Sequence, residues 1–195
     1  MFTQSKTIPR QKLYTLNASP AGRELIGRIE AGKKSWQFNF TPQEARIEDW
    51  RLVLTGRVTI TPPVGRPRSL DGVKARLLAT QGATTTAPEP PAGIDPRLVP
   101  PAETAVKGLP LTEYTGNDGS IGVMFLKLSS LTGIQADLPF DLGSVQLNAR
   151  LWASSGLERD LLWLYSAVLM ATQGPQPDGP WANGLLAEIN RRLGK

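Results

Sequence analysis

Trp36-Gln37-Phe38-Asn39-Phe40 sets an aromatic ring at every second position and an amide between each pair. In an extended chain this alternation puts the three rings on one face and the amides on the other, the pattern of a half-buried β-strand. The ring face reads as core. The same period recurs outward from this stretch. Trp50, Leu52, Leu54, Val58 and Ile60 alternate with Arg51, Thr55, Arg57 and Thr59, and Gly56 interrupts the apolar face as a bulge would. Val73, Ala75, Leu77 and Ala79 alternate with Lys74, Arg76 and Thr80, and Val145, Leu147, Ala149 and Leu151 with Gln146, Asn148 and Arg150. Weaker strand signals cover Lys12–Leu16, Glu24–Ile29 and Ile121–Leu128, the last apolar on both faces as a central strand would be.

Turn chemistry falls between these runs: Pro20-Ala21-Gly22, Ala31-Gly32-Lys33, Pro62-Pro63-Val64-Gly65 and Asn117-Asp118-Gly119. Strands with one polar face, joined by short turns, predict a mainly β fold: an antiparallel β-sandwich or open barrel, with one or two C-terminal α-helices. Pro180–Leu193 carries Trp181, Leu185, Ile189 and Leu193 at helical spacing, with Gly194 as a stop. Ser155-Gly156-Leu157-Glu158 reads as a capping box opening a helix that runs to Gly174-Pro175, its rival being a buried strand paired back on 145–152. Thr41-Pro42-Gln43-Glu44 predicts a further short helix ending near Trp50, by a cap, a proline in the first turn and a capping-box glutamate.

Residues 82–119 differ, with seven prolines and little periodicity. They are expected to form a Pro-rich insertion or flexible loop within a single β-rich domain spanning 1–195. The N-terminus has no apolar run behind Met1–Lys6, so no secretory signal is expected and a cytoplasmic location is the default. The longest apolar stretch, Leu161–Ala171, is far short of the roughly 20 residues that span a bilayer.

Composition narrows the chemistry. The chain has no cysteine, which removes disulfides, thiolate nucleophiles and thiolate metal sites, and no histidine, which removes the usual general base and the commonest metal ligand. Catalytic triads built on histidine are excluded. No enzyme activity, metal or cofactor is expected, and a carboxylate enzyme is the remaining catalytic alternative. Its candidates are Asp137 with Asp141, and the cluster Glu44, Glu48 and Asp49. Gly27-Arg28-Ile29-Glu30-Ala31-Gly32-Lys33-Lys34 fits G-x-x-x-x-G-K, but Lys34 stands where the phosphate-cradling loop needs Ser or Thr, and a strand follows where a helix should.

Charge is uneven. Residues 1–81 hold 14 Lys/Arg against 6 Asp/Glu, whereas 82–143 hold 3 against 7. The polar strand faces supply a candidate polyanion surface: Arg51 and Arg57 in one row, Lys74 and Arg76 in the next, Arg150 with Trp152 as a stacking ring in a third, and Arg66 and Arg68 in the nearby turn. The expected function is a non-catalytic binding or structural module that engages a protein partner or assembles with itself, through a sheet edge or the Pro-rich segment. Nucleic-acid binding through the basic face is the alternative.

Overall fold

The structure, a computed structural model, describes residues 24–31, 33–82, 90–99, 120–129, 146–152, 156–173 and 176–194. Six strands lie in sequence order in one antiparallel sheet: β1 (Leu25–Ala31), β2 (Lys34–Glu48), β3 (Arg51–Thr61), β4 (Arg68–Gly82), β5 (Ser120–Leu128) and β6 (Gln146–Trp152). Two helices follow, α1 (Gly156–Gln173) and α2 (Gly179–Leu193). The mainly β architecture with two C-terminal helices is the one the alternation predicts, with the sheet curled as a half-barrel. The weak signals at Glu24–Ile29 and Ile121–Leu128 are strands; Lys12–Leu16 and the Asn117–Gly119 turn lie outside the described residues.

The inner face carries the alternating apolar set. Trp36, Phe38, Phe40, Leu52, Leu54, Val58, Ile60, Val73, Ala75 and Leu77 are buried in one cluster with Leu161, Leu164, Val168 and Ala171 of α1 and Leu185 and Ile189 of α2. Helix α1 is buried on most of its circumference, from Trp163 through Thr172, because it has the sheet on one side and α2 on the other. That explains why its sequence, read as a helix, also admits a buried strand as a rival: an enclosed helix loses its polar face. Thr172 satisfies its buried hydroxyl by donating to the carbonyl of Val168, 2.8 Å away.

The short helix expected at 41–50 does not form. Strand β2 runs through it without a break, from Lys34 to Glu48. Its register against β3 slips between Pro42 and Glu44, which inserts one extra residue and shifts the inward set from Phe40 and Pro42 to Ala45 and Ile47. A proline has no N–H for the ladder, and a bulge is one of the places inside a sheet that tolerates it. Opposite sits Gly56, where a Cβ would lie 2.1 Å from the Thr41 carbonyl oxygen. The glycine is required by that close approach, as the interruption of the apolar face suggested. Trp50 does not end a helix but lies in the two-residue turn between β2 and β3, where Asp49 and Trp50 have φ of 51° and 56°. Both residues are left-handed, as a type I′ hairpin turn requires.

The second half of β2 extends beyond β1, whose pairing stops at Phe40. On that edge α2 takes up the ladder groups of Ala45. The Asn190 amide accepts from Ala45 N–H at 2.8 Å and donates to Ala45 C=O at 3.0 Å, as a neighbouring strand would. Helix α2 itself starts on Asp178, whose carboxylate accepts from Trp181 N–H at 2.9 Å, and stops on Gly194 in the left-handed conformation.

Part of the Pro-rich segment is seen. Residues 90–99 include a 3-10 turn at Pro96–Leu98, capped by Asp95. This stretch docks on α2: the Trp181 indole donates to Leu98 C=O at 2.9 Å, Arg192 donates to Ala92 C=O at 3.2 Å, and Leu98 fills the notch at Gly184, where a Cβ would come within 2.5 Å of it. Trp181 packs against the core and also ties α2 to this segment. Arg192 also reaches Glu188 and Asp160, so one guanidinium joins α1, α2 and the Pro-rich chain.

Candidate functional site

The candidate polyanion residues separate into two groups. The first lies across the outer face of the sheet, where acids accompany the cations. Arg57 makes a two-pronged contact with Asp71 at 2.7 and 3.0 Å, which holds the Asp71 carboxyl below the usual carboxylate range. Lys74 reaches both carboxylate oxygens of Glu48 at 2.7 and 2.9 Å. Arg46 meets Glu44 at 2.8 Å. Arg51 stands opposite Glu48 in the β2–β3 register. Arg76 faces Val53 on one side and Lys127 on the other. The row containing Arg150 and Trp152 is not adjacent to β4, as a continuous surface would need, because β5 lies between; their backbones pair with Val123 and Ser120, and their side chains lie outside the described residues.

Arg66 and Arg68 belong elsewhere. Strand β4 has its own bulge at Asp71-Gly72, with Gly72 at φ 71°, and beyond it Arg68 pairs with Ile60 on the inward-facing register. Arg66 lies in the connection between β3 and β4. The β1–β2 hairpin, closed by the Ala31–Lys34 pair, lies beside this connection. Together they enclose a cleft of about 440 Å³ at the mouth of the half-barrel, lined by Trp36, Ile60, Pro62, Pro63, Val64, Gly65 and Pro67, with Lys34, Arg66 and Arg68 as its charged residues. None of the lining residues is acidic. Val64 is 90 % exposed, the most exposed large apolar side chain among the described residues, and Gly65 beside it has φ 119°. The connection thus holds an apolar tip out over an apolar floor, inside a rim of three cations.

Lys34 and Trp36 were not among the sequence candidates for this site. The alternation assigned Trp36 to the core, correctly at 7 % exposure, but a core residue at the open end of a curled sheet also floors its mouth. Lys34, Trp36 and Arg68 share a register face, which a bulge-free reading of β4 does not reveal.

The G-x-x-x-x-G-K stretch is strand and hairpin. Gly27 pairs with Phe38 inside β1, and β2 follows Lys34 directly, so no helix N-terminus faces a phosphate there. The carboxylate candidates do not converge either: Glu44 and Glu48 turn to Arg46 and Lys74, and Asp49 occupies the β2–β3 turn. Asp137 and Asp141 lie outside the described residues. Among the described residues, no group of three or more His, Cys, Asp or Glu side chains is placed to hold a metal ion. No helix of the described residues is long and apolar enough to cross a membrane. The chain matches no family model, no curated protein and no solved structure.

Proposed function

We propose that this protein is a non-catalytic binding module that holds an acidic, apolar-containing segment of a partner protein in the mouth cleft. One observation carries the reading: the cleft gathers Lys34, Arg66 and Arg68 around an apolar floor and tip, and no acidic residue is among those that line it. Rim charges of one sign speed encounter with an oppositely charged segment and reject like-charged ones, more than they add affinity. The apolar contribution comes chiefly from Val64, whose full burial contributes roughly 1.5–2 kcal/mol. The cleft is open, where a small-molecule site encloses most of its ligand, and this favours a chain segment as the occupant. The docking of residues 90–99 on α2 argues against that part of the Pro-rich segment as the wrapping arm.

Backbone amide NMR provides the test. Peptides alternating Glu with Leu or Phe are titrated into the labelled protein, against counterparts with Gln for Glu. The expected shifts centre on Lys34, Trp36, Ile60 and Val64–Arg68, weaken with salt, and fail with the Gln peptides. Shifts confined to the outer face, or equal for both peptide sets, contradict the proposal. Light scattering of the free protein settles whether the occupant is a second copy: concentration-dependent association abolished by Lys34→Glu and Arg66→Glu identifies it as one.

A further inference from the structure

A second site lies on the outer face, eight residues along β4 from the mouth, or roughly 25 Å at about 3.3 Å per residue. Here a cleft of about 270 Å³ is lined by Glu48, Val53, Lys74, Arg76, Lys127, Leu128 and Ser129. Arg76 and Lys127 are direct cross-strand partners. Like charges placed opposite one another in a sheet destabilise it, and neither side chain has an ion-pair partner among the described residues. Val53, their neighbour on β3, is only 2 % exposed although its register partners Arg46 and Arg76 place it on the outer face. It lines the cleft and gives it an apolar floor.

Ser129 is fixed at the end of the cleft. Its N–H donates to Lys74 C=O at 2.7 Å, and its hydroxyl oxygen accepts from Lys74 N–H at 3.0 Å, which leaves the O–H to donate. Lys74 is held over the cleft by Glu48. The lining therefore carries three cations against one carboxylate, and the two uncompensated ones stand side by side.

We infer that this cleft binds a phosphate-class dianion, with Arg76 and Lys127 as its charge partners and the Ser129 hydroxyl as a third donor. A dianion between the two cations replaces a repulsive pair with two charge-assisted hydrogen bonds. The phosphate arrives either as a free ion or on a phosphorylated side chain of another protein, and the chemistry of recognition is shared.

Calorimetric titration with inorganic phosphate, and with a short neutral phosphoserine peptide beside its serine counterpart, tests this. Saturable binding of the phosphorylated probes alone is expected, and R76Q/K127Q should weaken it by about tenfold or more. R76K/K127R, which keeps both charges, should retain it. The unliganded R76Q/K127Q protein should unfold at no lower temperature than the parent, since a repulsion is removed. A phosphopeptide about tenfold tighter than inorganic phosphate assigns the ligand to a protein; equal or weaker binding assigns it to the free ion. Absence of saturable binding by either probe, or binding undiminished in R76Q/K127Q, overturns the inference. K34E/R66E, which disables the mouth cleft, should leave phosphate binding intact, so the two sites fail independently.

Discussion

Strand β2 behaves as two strands joined at Pro42–Glu44. Its first half, Lys34–Thr41, is paired by β1 from Lys34 to Phe40 and by β3 from Gln37 on, and delivers Lys34 and Trp36 to a mouth with no acid among its lining residues. Its second half, Glu44–Glu48, is paired among the described residues by β3 alone, and Asn190 of α2 meets its other edge at Ala45. That half brings Glu44 and Glu48 to the outer face, where they meet Arg46 and Lys74. The same chain therefore lines the mouth with cations at one end and pairs cations with Glu44 and Glu48 at the other. A tally of Lys and Arg does not distinguish the two regions; the phase of each strand does.

The joint is the place to break this contrast. Gly56→Val inserts side-chain atoms where Thr41 C=O already lies 2.1 Å from a Cβ position. Removing the bulge would relieve the clash only by flipping every β2 residue beyond it to the other face. The expected cost is ~3–5 kcal/mol, read as a fall in the urea midpoint, with mouth and outer-face ligand binding lost together.

Asn190→Leu comes next. It keeps the side chain's size but leaves the N–H and C=O of Ala45 without their partners, at an expected cost of about 2–3 kcal/mol. Hydrogen exchange should rise around Ala45 and remain slow at Phe38 and Phe40, because β1 and β3 still flank the first half. Equal loss of protection in both halves would show that β2 is a single unit.

Glu48→Gln makes the second half resemble the first. The Lys74–Glu48 contact is exposed enough that stability should change by less than about 1 kcal/mol. Phosphate affinity at the outer cleft should rise severalfold as Lys74 is released, while the mouth is unaffected.

Acidification gives the smallest effect and discriminates in the same direction. The Asp71 carboxyl, accepting from Arg57, titrates below its unfolded value, so its contribution is present above the ordinary carboxylate range and lost as pH falls through the lowered value. Asp95, held down by the Arg97 guanidinium and its N–H, should titrate at about 2. Carboxyl NMR should find both below the ordinary carboxylate range. The mouth, without acids in its lining, should show no change in amide shifts over the same interval.

Most of the fold is legible in the sequence because the inner and outer sets alternate so cleanly. The rings of Trp36, Phe38 and Phe40 declare β2, and Trp181, Leu185, Ile189 and Leu193 declare α2. The misreading at Thr41–Glu44 has a specific cause: a threonine and a glutamate at capping-box spacing, with a proline between them, also suit a bulge opposite a glycine, and the pairing with Gly56 decides between them. The site was half legible. Arg66, Arg68, Arg76 and Lys74 carry charge that the sequence makes plain, but two bulges in β4 set which face each one occupies. The salt bridges Arg57–Asp71 and Lys74–Glu48 join residues 14 and 26 apart, contacts that alternation alone does not rank.

The most direct measurement compares two charge reversals of equal size: Lys34→Glu with Arg66→Glu at the mouth, and Arg46→Glu with Arg51→Glu on the outer face. Both pairs change the net charge by the same amount, so a field effect of the whole protein would treat them alike. Binding of the acidic Glu/Leu peptides, followed at one ionic strength, should be abolished by the first pair and reduced only slightly by the second. Equal losses from the two pairs would contradict a binding site localised at the mouth of the sheet.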